Sequence, residues 1–179
     1  MLRGVSEMVT GMSPEKIRIE LTEGSSDELR RRRMIIGLSI VGIGLAATAS
    51  LLQTGVVRHL PDPPVGNFDA DKVMKSEPAY QFGVPDATIA LTGLAANVPL
   101  AAWGGSERAK HQPLVPLVAA GKAAVEAAAG AWYFYQMPTK LKTWCGYCVA
   151  SAAVYFGILA LTLPEAKKAL GELVHRDQA

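Results

Sequence analysis

Residues Met34–Val57, MIIGLSIVGIGLAATASLLQTGVV, run for 24 residues without a charged side chain. As a helix at about 1.5 Å per residue the run is roughly 36 Å long, enough to cross the roughly 30 Å hydrocarbon core of a bilayer. In that solvent each backbone N–H and C=O must be paired within the segment, which leaves helix as the available structure. A second uncharged run, Trp144–Leu163, covers 20 residues, again about the length of a span. Two less pure stretches lie between them. Residues 84–103 carry Asp86 near their start and Asn97 inside, and residues 114–137 are apolar except for Lys122 and Glu126. Four apolar segments predict an all-α integral membrane four-helix bundle, with spans at about 34–57, 84–103, 114–137 and 144–163. Residues 1–33 then form a cytoplasmic N-terminal tail and residues 164–179 a cytoplasmic C-terminal tail.

Composition agrees with that class. Half of the 179 residues are hydrophobic and 19% are charged, against roughly 25% charged in a soluble domain. A formal net charge of +2 gives no field that would draw nucleic acid. The basic run Arg30–Arg33 lacks interleaved aromatic residues, so it reads as a topology anchor in contact with anionic lipid. Followed by an apolar run with Ala47-Thr48-Ala49, it also has the outline of a secretory signal. The run is longer than a signal core and is preceded by a hydrophilic stretch, which favours an uncleaved anchor. Lys and Arg flank the runs unevenly. Arg30–Arg33, Arg108, Lys110, Lys167, Lys168 and Arg176 mark one side; Arg58, Lys72 and Lys75 are spread over a long loop on the other, with Lys140 and Lys142 in a short one. By the positive-inside rule both termini are cytoplasmic in a multi-pass protein of the cell inner membrane.

Local signals divide the polar segments. Ser13-Pro14-Glu15 predicts a helix start and Gly24–Glu28 a break with a second cap. Three prolines in His59–Phe68 predict an extended loop, and Asp69–Tyr80 a short interfacial helix. Lys122 and Glu126, four apart, share a helix face. Inside a membrane they predict an ion pair facing the bundle or a neighbouring subunit, rather than a proton path, which would run far from the cysteines. Asn97, with Pro99 after it, is expected to satisfy backbone groups at a kink. His59, His111 and His175 are scattered, so no metal site is expected.

Cys145 and Cys148 are the only cysteines. One C-x-x-C pair is too little for a disulfide framework and half of a four-cysteine zinc site. One helical turn brings the two sulfurs within bonding reach. The unpaired N–H groups at a helix start stabilise a thiolate, and Lys140 and Lys142 add positive charge. The predicted topology puts the pair at the extracytoplasmic mouth, where disulfides persist. Redox use is therefore expected over simple packing. Electrons leaving a thiol at this depth have a lipid-soluble quinone as a natural destination. Trp144, Tyr147, Tyr155 and Phe156 are candidates to line its pocket, with Tyr133, Phe134 and Tyr135 from the preceding helix. An interfacial aromatic belt alone accounts for Trp132, Tyr133, Tyr135, Trp144 and Tyr147 and is the favoured reading for most of them.

The stretch WCGYCVASAAVYFGILAL, preceded by YFYQ, resembles the vitamin K epoxide reductase family and its bacterial homologues. VMKSEPAYQFGVPDATIALTGLAA is similar to that family's loop leading into the second helix, through Ser76, Gly83 and Pro85. The resemblance extends over about Met34–Leu163. It implies a four-helix bundle around a quinone (ubiquinone or menaquinone) that passes electrons from thiols to the quinone and so makes disulfides. It further implies that Cys145 and Cys148 are catalytic, Cys148 facing the quinone and Cys145 exchanging with the incoming thiol. The candidate quinone-binding residues are Trp144, Tyr147, Tyr135 and Ser76. The implied partner is a periplasmic thioredoxin-like dithiol protein. The chain departs from the family in lacking a second cysteine pair in the first loop, where Asp71 stands in the place of one shuttle cysteine, and in lacking a fused thioredoxin-like domain. Those departures leave a second expectation, a non-catalytic accessory subunit of a larger membrane complex that keeps the scaffold.

Overall fold

Two serines start the first two helices. The computed structural model describes residues 12–64 and 66–177. In helix α1, Pro14–Glu23, the Ser13 hydroxyl accepts the Lys16 N–H at 3.4 Å and Pro14 occupies the first turn. In helix α2, Asp27–Gln53, the Ser26 hydroxyl accepts the Leu29 N–H at 3.3 Å, with Asp27 and Glu28 at the positive end of the dipole. Gly24 lies between them, its N–H bonded back to the Glu20 carbonyl. The polar segment after α2 holds α3, Ala70–Met74, and a 3-10 turn, Glu77–Tyr80. The interfacial helix expected over Asp69–Tyr80 is thus split in two, because Pro78 has no N–H to carry an α-helix through. Helix α4, Asp86–Ala102, the short α5, Arg108–His111, and α6, Leu114–Gln136, follow. A π-helical turn, Met137–Leu141, then leads to α7, Gly146–Asp177.

The chain is all-helical: among the described residues the one β-type contact is an isolated bridge between Phe68 and Trp144. Three segments, Asp27–Gln53, Leu114–Leu141 and Gly146–His175, are long and apolar enough to cross a membrane. Helix α4 is also apolar but only 17 residues long, about 26 Å at 1.5 Å per residue. All four contribute to one core, with Ile35 and Ala46 from α2, Leu94 from α4, Ala123 and Ala127 from α6, and Ile158 from α7. Small residues allow the close approach. A Cβ on Gly42 would stand 2.9 Å from a Leu94 methyl, so α2 and α4 can meet at this distance only over a bare glycine.

A second cluster caps one end. Ala70, Val73 and Met74 of α3 pack with Leu52, Ala87, Met137 and Cys145. At the opposite end α7 does not stop at Leu163 but continues through Pro164 to Asp177. Glu165, buried just past that proline, explains why. It accepts from Arg32 of α2 at 2.5 Å and from Arg108 of α5 at 2.8 Å. The expected contact of the whole Arg30–Arg33 run with lipid therefore fails at Arg32, which is only 1% exposed. Its guanidinium is taken up by Glu165 and the carbonyls of Gly104 and Gly105.

Candidate redox site

The start of α7 is capped by a cysteine. The Val149 N–H bonds the Cys145 carbonyl at 3.0 Å and the Cys148 N–H meets Cys145 Sγ at 3.1 Å. Cys145 thus occupies the position and role that Ser or Asn takes at an N-cap. Its sulfur is joined to that of Cys148 in a disulfide, with Cα atoms 5.2 Å apart. The two faces of the pair differ. Cys145 is fully buried, while Cys148 is partly exposed and lines a cavity of about 550 Å³.

A strap of the first long loop seals Cys145. The Trp144 N–H donates to the Asn67 carbonyl and the Asp69 N–H to the Trp144 carbonyl, both at 2.9 Å. Asn67 Nδ2 donates to the Lys142 carbonyl at 2.5 Å and Tyr147 Oη to the Pro61 carbonyl at 3.3 Å. Lys142 adopts a left-handed conformation (φ 54°) that turns the chain back toward α7. Behind the strap, Asp71 accepts from the Leu60 N–H at 3.1 Å, Lys75 at 3.0 Å and His59 at 3.2 Å. Partial burial pushes the Asp71 carboxyl up, but Lys75, the Leu60 N–H and His59 together outweigh it and hold the carboxyl below its ordinary range. At the expected position of a shuttle cysteine the loop therefore has an ionic staple.

The cavity is bounded by α2, α4, α6, α7 and the cap, and its wall is mostly apolar. Phe82, Ile89 and Val125 lie on it and are also exposed on the outside of the molecule, so it reaches the outer surface between α4 and α6. Of the expected site residues, Cys148, Ser76 and Tyr147 line it. Trp144 and Tyr135 do not. Trp144 packs edge-on against Phe134, ring centroids 5.3 Å apart, and Tyr135 is 59% exposed. Phe156 likewise faces outward, while Tyr133 and Tyr155 line the cavity. Lys140 places its ammonium 5.6 Å from the Trp132 ring centroid.

One further outcome corrects the sequence reading. Asn97 serves no kink. Its Oδ1 accepts from Lys122 Nζ at 2.9 Å and its Nδ2 donates to Glu126 at 3.1 Å. The Lys122–Glu126 pair, 2.5 Å apart, also reaches the Gly93 carbonyl at 2.6 Å and so bolts α6 to α4. Both residues line the cavity that holds Cys148. Yet they precede Gln136 by fourteen and ten residues, about 21 and 15 Å along α6, so the expected ion pair facing the bundle stands well away from the sulfur end.

Sequence reasoning missed three polar residues. Gln53 donates to Asp86 at 2.6 Å and to the Met74 carbonyl at 3.1 Å, and accepts the Ala87 N–H at 3.1 Å. It locks the cap onto α4. Gln136 and Asp86 line the cavity. A signal existed for two of them. Gln53 is the one amide in the uncharged first run, and steps of three and four from Glu126 along α6 lead to Gly130, Tyr133 and Gln136.

The profile of the vitamin K epoxide reductase family matches residues 33–163. No curated protein matches the chain.

Proposed function

Because the chain belongs to the vitamin K epoxide reductase family, we propose that it is a membrane thiol:quinone oxidoreductase whose Cys145–Cys148 disulfide accepts electrons from a partner's dithiol. The family works as membrane thiol:quinone oxidoreductases, generally with thioredoxin-like partners. The observation that carries the reading for this chain is the placing of one sulfur of the pair on the wall of an apolar cavity that opens on the molecule's side. A cavity of about 550 Å³ falls within the roughly 300–1,000 Å³ typical of ligand sites. The Tyr155 hydroxyl lines it with no hydrogen-bond partner among the described residues. A flat apolar ring with carbonyl acceptors fits that wall, and an isoprenoid tail fits an opening between α4 and α6. When bound, such a quinone supplies a two-electron, two-proton acceptor.

The residues then divide the work. A partner thiolate attacks Cys145 Sγ, the Cys145–Cys148 bond breaks, and a mixed disulfide forms as Cys148 leaves as thiolate. The partner's second thiol displaces Cys145 and departs as a disulfide, leaving both cysteines reduced. Reoxidation breaks two S–H bonds, forms the S–S bond and delivers two electrons and two protons to the acceptor. Helix α7 stabilises the thiolate through its N-terminal N–H groups. Cys145 must first be uncovered, so the contacts of Pro61 and Asn67 with Tyr147, Lys142 and Trp144 open when the partner docks. Without loop cysteines the dithiol reacts with Cys145 directly. All four long helices cross the cell inner membrane with both termini cytoplasmic.

Cysteine replacement tests this. Cys148→Ser should abolish quinone-dependent oxidation of a thioredoxin-like dithiol. Given the partner in its disulfide form, the Cys145 thiolate should attack that disulfide, displace one partner thiolate and accumulate as a mixed disulfide. Cys145→Ser should trap none. Unchanged turnover in Cys148→Ser would refute the electron path, and absence of an adduct in both variants would favour a non-catalytic subunit.

A further inference from the structure

Gln136 ends α6 and is only 2% exposed, yet its Nε2 is wholly buried without a hydrogen-bond partner, and neither amide atom bonds a described residue. Buried polar groups are nearly always paired, because an unmet donor keeps the full cost of its lost hydration. A side chain kept in that state is a standing liability to the fold. Leucine or methionine would fill the same volume without it.

The amide's position identifies what would satisfy it. Gln136 lines the cavity together with Cys148, Tyr147 and Met137. Its neighbour Met137 accepts the Cys145 N–H through Sδ at 3.4 Å, so Gln136 belongs to the sulfur end. Two other cavity side chains, Ser151 and Tyr155, also have no hydrogen-bond partner among the described residues; they come three and seven residues after Cys148, about 4.5 and 10 Å further along α7. The other polar groups around the cavity are committed: Asp86 to Gln53, Tyr133 to the Pro78 carbonyl, and Lys122 to Glu126.

We propose that Gln136 is a ligand-binding residue whose amide hydrogen-bonds the quinone ring oxygen turned toward Cys148. The assignment rests on the quinone reading above and adds a residue that the cysteine chemistry does not require. An amide suits this post because it carries both a donor and an acceptor. Nε2 donates to a carbonyl oxygen of the oxidised ring, and Oε1, after rotation of the amide, accepts the O–H of the reduced ring. One side chain therefore holds both redox forms in place. Lysine would serve only the first.

The test uses full-length protein in detergent, stripped of quinone, with a short-tailed 1,4-naphthoquinone as probe. Gln136→Leu, and Gln136→Met in case leucine packs poorly, are compared with wild type. Both should melt at or above the wild-type temperature without quinone, since an unmet donor has been removed. Their naphthoquinone dissociation constant should be about tenfold weaker, as loss of one hydrogen bond implies. The carbonyl stretch of the bound probe should move toward its unbonded frequency. An unchanged dissociation constant and carbonyl band would overturn the proposal, as would lower melting of both quinone-free variants, which would show that the amide serves the fold. The wild type separates this from the redox reading. Probe binding without dithiol oxidation would sink that reading and leave Gln136 standing, and a wild type that binds no probe would sink both.

Discussion

Glu165 shows how much can rest on one carboxylate. Two guanidiniums, Arg32 and Arg108, converge on it, and all three side chains are at least nine-tenths buried. Two cations and one anion leave the cluster with a net positive charge. Its desolvation is offset by five side-chain bonds to Glu165 and by carbonyls of Leu100, Trp103, Gly104 and Gly105. Glu165→Gln keeps the shape but leaves two buried guanidiniums without a counter-charge. The expected loss is about 3–5 kcal/mol, read as a lower midpoint in detergent unfolding. Arg18→Ala, at an exposed pair with Glu15, should change the midpoint little, since such pairs contribute about 0–1 kcal/mol. Equal effects would mean that Glu165 is hydrated. The cluster joins α2, α5 and α7 at the end opposite the cysteines, where Pro164 has removed one helical hydrogen bond.

Among elements, the first long loop is held by charge as well as by the apolar face of α3. Asp71 ties the Leu60 N–H, Lys75 and His59. Its carboxyl is held below the ordinary aspartate value, near 3.9. A depressed folded value means the ionised form favours the folded loop. That stabilisation is present above about pH 4 and is lost as pH falls through the folded value. Hydrogen exchange at the Leu60 amide, corrected for intrinsic rates, should therefore accelerate between pH 5 and 3 in wild type. In Asp71→Asn it should be fast and nearly flat across that range; a wild type as flat as the variant would remove Asp71 from the staple. This loop was also the least legible part of the sequence. Its prolines and caps predict where helix is absent, but not that Asn67 and Tyr147 pin it over Cys145. The helices read far better, because uncharged runs in lipid leave one structure available, and the C-x-x-C pair was found with them. What runs alone do not provide is rotation. Helix α6 is apolar nearly all round, so Tyr135 and Tyr133 look alike until Lys122 and Glu126 fix the inward face. Gln136 lies on that face; Tyr135, two residues from Tyr133, is turned about 200° away at 100° per residue.

The whole molecule has two unlike ends, and its proposed chemistry depends on which compartment each meets. One end carries the exposed cations Arg30, Arg33 and Lys167, and there α1 docks through Glu20, which accepts the Ser106 N–H at 2.8 Å. The other carries the cap and the cysteine pair. On the proposed topology, which rests on the bias in Lys and Arg, the first end is cytoplasmic and the pair lies on the side where a disulfide is not held reduced by the glutathione pool. Native Cys145 is too well covered to report on this. Single cysteines placed at exposed Thr139 and exposed Lys167, in a background with Cys145→Ala and Cys148→Ala, avoid the strap. Thr139→Cys should react with a membrane-impermeant maleimide on intact cells with the outer membrane made permeable, and Lys167→Cys only after lysis. The reverse pattern would expose the pair to the reducing cytosol. A disulfide regenerated there would be consumed by glutathione before it reached a partner, so inversion of the labelling would remove the physical basis for disulfide formation even if both sulfurs were competent.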